Sequence, residues 1–576
     1  MSRHHRRAHS WLLTAGGLFL AQLSAHAQSI VRVDVANDGS ETSGIAIFVD
    51  VSDDGTKVVF SSGVDGLDPG DANHQADIFL RDVVAGTTVL VSVDSNGNQG
   101  NNSCSRPRIS GNGRCVAFES LANNLVDSDD NHHTDVFLRD LIAATTARVS
   151  VATDGSEANG ENGIAAISGD GNRILFWSDA TNLIPDDHNG RQDLFVRDVA
   201  AASTVRVDTA DDGTEANQGA MFGSISRDGQ IVMFTTAASN LVPGDTNGAS
   251  DVFVRDLSTG TIVRASVDAT GAEIPWGCGN PKADGFGNAL SSDGRFVAFT
   301  TQQGDLIEDD DNYAYDVFLR DLVAGTTTIQ SLDSDGSISA SDSAKIDIGT
   351  FATGVSDGGR FVLMEGAALT LAPHEETNIW YADVYVRDRK LAMTTRQSND
   401  PNGCAANNAS FRSRFTADGA CVAFISLADN LIDGHPTQGE CAFLVRRPLR
   451  AATSESYGSG LDGELGAPAL SAATPPLLNQ SCDVKLTNSS DQWTVGLLFL
   501  GVEPTQIPTR LGGDLLVVAQ WTQLVVVPPS GVDLVARLPH DERLAATDLY
   551  LQALELDATA IHGISFTAGL ALHPGF

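Results

Sequence analysis

The phrase Asp-Val-Phe-Val-Arg-Asp returns along the chain at nearly fixed spacing. It reads DIFLRD at Asp77–Asp82, DVFLRD at Asp135–Asp140, DLFVRD at Asp193–Asp198 and DVFVRD at Asp251–Asp256. It continues as DVFLRD at Asp316–Asp321 and DVYVRD at Asp383–Asp388, with a worn seventh copy, AFLVRR, at Ala442–Arg447. The first four copies lie 58 residues apart and the later gaps are 65, 67 and 59. Such a period means an array of supersecondary units, each too small to bury its own core.

A second phrase keeps the same period: Ser-x-Asp/Asn-Gly followed by an apolar run, starting at Ser52, Ser110, Ser168, Ser226, Ser291, Ser356 and Thr416. Asp-Gly or Asn-Gly between apolar runs signals a tight hairpin. After each DVFVRD copy come another turn and a Thr/Val-rich run such as Thr87–Val93, which suits a pleated strand. Each unit therefore reads as four short antiparallel strands, with no helical periodicity. Seven such units read as a β-propeller. Ile30–Asp34 matches the fourth strand of a unit, and the seventh unit stops after its third. The expected fold is all-β: a seven-bladed propeller closed by the N-terminal strand, then a C-terminal β-sandwich. Closure of this kind removes two open sheet edges.

The SxDGxxVAFxS…DVFVRD unit resembles the TolB-type, WD40-like repeat of exported bacterial propellers, over roughly residues 29–447. The resemblance implies the propeller fold and an export compartment. The chain departs from TolB in its longer units and in having no separate α/β domain before the propeller, so a TolB-like envelope interaction is the third functional reading.

The expected organisation is a signal peptide at 1–27, the propeller at 28–449, a Gly/Ser-rich linker at 450–466 and the β-sandwich at 467–576. Arg3, Arg6 and Arg7 precede the apolar stretch Trp11–Leu23, and Ala25-His26-Ala27 fits a cleavage site. No later stretch is apolar enough to span a bilayer. The destination is periplasmic, cell-surface or extracellular. The run LYLQALELDATAIHGISFTAGLAL resembles a C-terminal module of large exported proteins of planctomycete-like and myxobacteria-like bacteria.

The formal net charge is −38, which argues against nucleic acid and anionic membrane as partners, since both need a positive surface. In an export context the seven cysteines point to disulfides. Cys104 with Cys115 is the expected pair, and Cys421 with Cys441 a second option.

The loops before DVFVRD end in Asp-x-Asn-x-x-x-Asp five times: Asp71/Asn73/Asp77, Asp129/Asn131/Asp135, Asp187/Asn189/Asp193, Asp245/Asn247/Asp251 and Asp310/Asn312/Asp316. Alternating oxygen donors suit calcium. Turn chemistry explains the same residues, because Asp and Asn bond their own backbone. The arginine of each DVFVRD copy is expected in blade-to-blade or interstrand ion pairs. No catalytic residue or cofactor other than calcium is expected. There is no Gly-x-Ser-x-Gly elbow, P-loop or dinucleotide fingerprint.

The leading functional reading is a non-catalytic exported propeller that binds a protein or carbohydrate ligand on its long-loop face. The alternative is a propeller hydrolase or lyase acting on polysaccharide or peptide. An active site would break the repeat at a few axial positions, and the irregular stretches Gly271–Lys282 and Ser337–Phe351 are where the sequence directs the search.

Overall fold

The computed structural model describes residues 29–573 apart from 42–44, 186, 279–287, 304–305, 307–314, 334–335, 339–349, 367–370, 372–380, 402, 433–438, 448–452, 463–466, 474–475, 477–480, 491, 510–513, 538–547, 558–559 and 561–563. The signal-peptide assignment, Asp310 and Asn312, the end of Gly271–Lys282 and most of Ser337–Phe351 lie outside the described residues. The chain divides into two compact units near Arg447.

Residues 30–446 form seven four-stranded antiparallel sheets among the described residues, an architecture of propeller blades. The first sheet runs Ala46–Val51, Lys57–Ser62, Asp77–Asp82 and Thr87–Leu90, in chain order. The next five repeat that order, with first strands Cys104–Ile109, Asn162–Ile167, Ala220–Ile225, Asn288–Leu290 and Phe351–Val355. The seventh joins Ser410–Phe415, Cys421–Ser426 and Cys441–Arg446 to Ser29–Arg32 at its outer edge.

Both recurring phrases have a physical cause. In the first Ser-x-Asp-Gly turn, Lys57 N donates to Ser52 Oγ at 3.1 Å and Thr56 N donates to Asp54 Oδ1 at 2.9 Å. Gly55 holds φ at +63° to close the turn. In DVFVRD the Phe is fully buried and stacks on the Phe of the second strand, with centroids 5.7 Å apart for Phe60–Phe79 and 6.0 Å for Phe118–Phe137. Each such ring contributes roughly 1.5–3 kcal/mol by burial. The closing Asp caps the next turn, with Asp82 Oδ1 accepting from Ala85 N at 2.7 Å.

The DVFVRD arginines do not follow the ion-pair expectation. Arg81 Nη1 donates to Thr88 Oγ1 at 3.0 Å, and Arg139 Nη1 to Thr146 Oγ1 at 3.1 Å and to the Asp94 carbonyl at 3.0 Å. Their partners are hydroxyls and carbonyls because the carboxylates on the same strands are engaged by other groups. The same threonines tie neighbouring sheets together: Thr146 Oγ1 donates to Val93 O at 2.5 Å, and Thr88 Oγ1 to Val35 O at 2.6 Å.

The cysteine pairings expected from sequence are corrected: all seven thiols are free. Cys104 faces Ser120 in the strand register, and Cys115 sits five residues further at the turn. That separation is about 16 Å at the rise of a strand, well beyond the roughly 7 Å that a disulfide spans. Cys441 faces Ser426 and Cys421 faces Arg446, so this second pair fails for the same reason.

In the C-terminal unit, Leu470, Cys482, Val484 and Leu486 of a three-stranded sheet pack in one core with Leu498, Val527, Leu551 and Leu570 of a larger sheet. Part of the stretch expected as linker, Thr453–Tyr457, is a strand paired with Gly569–His573. Its Gly/Ser-rich neighbours obscure a short edge strand.

Candidate functional site

The first strands carry no recurring phrase, and six of them are bulged. Register shifts occur between Ala46 and Val49, Ser105 and Arg108, Ile164 and Ala166, Met221 and Gly223, Ala352 and Gly354, and Phe411 and Arg414. Three bulge residues stand at positive φ: Arg106 at +49°, Phe222 at +51° and Arg412 at +55°. That region is costly for such bulky residues. Bulges re-aim side chains and gather near functional sites.

These strands enclose a cavity of ≈ 250 Å³ to which the first strands of all seven sheets contribute. Its wall carries Arg106, Arg108, Arg227 and Arg414 against two carboxylates, Asp50 and Asp53. Phe48, Trp177, Phe222 and Phe415 supply aromatic surface. A chain of net charge −38 thus concentrates positive charge at one internal position.

The arginines are held in defined ways. Arg108 Nε donates to Ala165 O and Nη1 to Pro107 O, both at 3.1 Å. Burial, reinforced by the charge of Arg414, lowers its pKa to about 10. Phe48 lies under two guanidinium groups, Arg412 at 4.6 Å and Arg106 at 5.6 Å from its centroid. Arg106 Nη1 is also 3.8 Å from Glu119 Oε1. Asp50 Oδ2 accepts from Ile109 N at 3.0 Å, and burial raises its pKa against the opposing charges of Arg108 and Arg414. Arg227 Nη2 meets Asp53 Oδ2 at 3.0 Å. The Ser-x-Asp-Gly turns surround this end of the cavity and bond from sheet to sheet, as in Asp53 N to Gly111 O at 2.9 Å and Gly169 N to Arg227 O at 2.8 Å. The cavity wall therefore reaches the short turns, whereas the sequence directed attention to the long loops.

The expected metal residues form a second set of clusters. Asp77, Asp135, Asp193, Asp251 and Asp316 are all buried. Ser92 Oγ donates to Asp77 at 2.6 Å, Ser150 Oγ to Asp135 at 2.6 Å, Ser266 Oγ to Asp251 at 2.6 Å and Ser331 Oγ to Asp316 at 2.5 Å. Asn131 and Asn247 each donate to the Asp four residues on at 2.9 Å, and so does Asn189 to Asp193. Asn73 instead donates to Gly100 O at 2.9 Å.

The structure brings a glutamate to two of these loops, giving Asp129/Asp135/Glu157 and Asp245/Asp251/Glu273, each compact enough to hold a metal ion. A guanidinium lies among the same oxygens. Arg148 Nη1 is 3.4 Å from Asp129 and 3.1 Å from Asp135, and also meets Glu157. Arg264 Nη1 is 3.7 Å from Asp245, 3.5 Å from Asp251 and 2.6 Å from Glu273. Arg206 engages Asp187, Asp193, Asp208 and Glu215 likewise. In the first sheet Leu90 stands in the arginine position, and Gln99 Nε2 bridges Asp71 at 2.7 Å and Asp77 at 2.9 Å. These arginines end the fourth strands, one turn before their glutamates, a spacing of nine residues that the sequence carries openly.

No protein-family model and no curated protein matches the chain. Among solved structures it is similar to a putative TolB from Agrobacterium tumefaciens, with 15% identity, a TM-score of 0.25, and coverage of 41% of this chain and 80% of that one. It is similar to the periplasmic gluconolactonase PpgL of Pseudomonas aeruginosa, with 15% identity, a TM-score of 0.30, and coverage of 62% and 84%. It is also similar to the WD40 domain of SCAP from fission yeast, with 9% identity, a TM-score of 0.33, and coverage of 73% and 94%. The propeller assignment rests on the sheets themselves.

Proposed function

We propose that this chain is an exported, non-catalytic binding scaffold: a seven-bladed propeller, closed by its N-terminal strand, that receives a ligand in its axial pocket. Three contacts support closure. Val33 N donates to Ala442 O at 2.9 Å, Arg446 Nη2 to Gly55 O at 2.9 Å, and Thr88 Oγ1 reaches the N-terminal segment at Val35. Export is supported by the basic and apolar leader at 1–27. No helix among the described residues is long and apolar enough to cross a membrane.

One observation carries the functional reading. The second and third strands repeat nearly the same residues from unit to unit, whereas the first strands, which face the shared cavity, differ and place arginines and aromatic rings there. Packing alone would keep those positions as uniform as the stacked phenylalanines. The pocket carboxylates are engaged by a backbone N–H and a guanidinium, which suits binding better than proton transfer.

For the Asp-x-Asn-x-x-x-Asp loops, the reading that goes with the geometry is bracing of the scaffold. Arg148, Arg206 and Arg264 supply the positive charge in three units, and calcium is the cation that would take their place. The functional test is a thermal-shift screen of small acids, sugars and peptides on the wild type and on Ser224→Trp, which fills the cavity from its wall. The expected result is a ligand that raises the melting temperature of the wild type alone. A ligand that stabilises both equally contradicts an axial site.

A further inference from the structure

The arginines that carry positive charge to the cavity are met by as many carboxylates. Arg227 and Asp53 lie 3.0 Å apart. Asp50 faces both Arg108 and Arg414. Two buried glutamates stand behind the wall. Glu119 acts on Arg106, at 3.8 Å, and on Arg108. Glu365 acts on Arg414 and accepts from Ser413 N. A ligand with a net charge would unbalance this set, whereas a neutral one leaves it intact.

The paired groups still offer polar atoms to the cavity. The side chains of Arg106 and Arg227 keep 33% and 52% of their surface accessible, and Asp50 and Asp53 are half-buried. A guanidinium only donates and a carboxylate only accepts, so a group that meets both must do both. A hydroxyl does. Hydrogen bonds to ionised groups are also stronger than those between neutral ones.

The apolar part of the wall shapes the ligand. Trp177 is the fifth residue of its second strand, where the other six sheets carry Ser61, Glu119, Thr235, Thr300, Glu365 and Ile425. The residue across from it is also an exception. Gly163 stands where other sheets have Ser105, Met221, Phe351 or Phe411. A Cβ on Gly163 would fall 2.3 Å from the indole, so only glycine leaves the ring in this position. The result is one flat apolar platform beside the paired charges. The volume of ≈ 250 Å³ is below the roughly 300–1,000 Å³ of pockets for drug-sized molecules, so the ligand is small.

We propose that the cavity binds one neutral, hydroxyl-rich ring of the size of a pyranose, its C–H face on Trp177 and its hydroxyls among the paired arginines and carboxylates. The assignment rests on the reading of the pocket as the ligand site. A free monosaccharide and the end of a glycan chain share this chemistry.

The test is calorimetric and saturation-transfer titration of residues 28–576 with glucose, galactose, mannose and their methyl glycosides, beside glucuronate and glucosamine. At least one neutral sugar binds with a dissociation constant on the order of 1 mM, as expected for so few atoms. A methyl glycoside that binds equally well names a chain end as the source, and one that does not bind names the free sugar. Added salt changes the affinity by less than about twofold. Trp177→Leu loses about tenfold. In the wild type, saturation transfer falls on the C–H protons of one ring face, a readout that decides the question if Trp177→Leu misfolds. Glucuronate or glucosamine binding that Ser224→Trp abolishes, with no neutral sugar bound, would keep the pocket as the ligand site and overturn the neutral assignment. Sugar binding that survives Ser224→Trp, or that a folded Trp177→Leu retains in full, also overturns it. If no screened compound of any charge binds in the pocket, both readings fail.

Discussion

Gly55, in the first Ser-x-Asp-Gly turn, packs directly on Cys421, the first residue of the second strand in the seventh sheet. A Cβ on Gly55 would lie 2.5 Å from the Cys421 sulfur. The relationship repeats along the chain. Gly171 meets Cys115, Gly229 meets Arg173, Gly294 meets Ile231, Gly359 meets Phe296 and Gly419 meets Phe361. In each case a turn glycine rests on the preceding sheet. Gly55 has no preceding sheet in sequence and rests on the last one.

This contact makes a specific prediction. Gly55→Ala places a methyl group against Cys421 at a φ of +63°. The left-handed backbone costs about 1–2 kcal/mol, and overpacking adds about 1–3 kcal/mol. Gly39→Ala, at a φ of +78° with nothing within 4 Å, should incur the first cost only. Cys421→Ala should recover the second part in the Gly55→Ala background, giving non-additive energies in a double-mutant cycle. Additive energies from denaturant unfolding would mean the two residues do not touch.

The thiols give a second prediction. Cys404 is exposed and the other six cysteines are buried. Burial pushes the Cys104 and Cys441 thiols up to about 12. A thiol reagent should label Cys404 alone in the native protein and seven sites after unfolding, without prior reduction. Five labelled sites in the unfolded, unreduced protein would restore a disulfide.

The acidic clusters set a pH dependence. Burial, and then the charge of Asp135, raises Asp129 to about 6; burial and Asp251 raise Asp245 to about 6. Both pKa values lie above the unfolded value of about 3.9. Their contribution to stability is therefore present below about pH 4 and lost as pH rises toward 6. Asp129→Asn/Asp245→Asn should melt higher than wild type at pH 7.5 in EDTA. The gain is on the order of 1 kcal/mol after discounting for solvent screening. The variant should also show a flatter slope between pH 4 and 6. Millimolar calcium should add little to either protein, because Arg148 and Arg264 occupy the clusters. A calcium-dependent rise in the wild type that the variant lacks would make the loops metal sites.

The sequence was legible where one physical task recurs. A stacked Phe79, a capping Asp82 and a turn closed by Gly55 are needed in every unit, so they announce themselves as phrases. The shared cavity was hidden for the opposite reason. Arg106, Arg108, Arg412 and Arg414 occupy bulged strands where each unit differs, and a bulge shifts the alignment by a residue. Aligning the units on their turns and reading the variable positions before them would have found these arginines. The metal expectation counted carboxylates within each loop and overlooked the Arg148–Glu157 and Arg264–Glu273 pairs, which lie nine residues apart beyond the DVFVRD strand.

Closure of the ring is the premise on which the axial pocket depends, and removing Ser29–Val35 tests it most directly. That deletion takes away the outer strand of the seventh sheet, the Val33–Ala442 and Asp34–Ala442 bonds and the Thr88–Val35 tie. It leaves an open edge on Cys441–Arg446. The measurement is thermal unfolding with light scattering, on residues 28–576 and on the same chain lacking these seven residues. The account predicts a markedly lower melting temperature and aggregation of the shortened protein. An unchanged melting temperature in a monodisperse shortened protein would contradict a ring closed by its N-terminal strand.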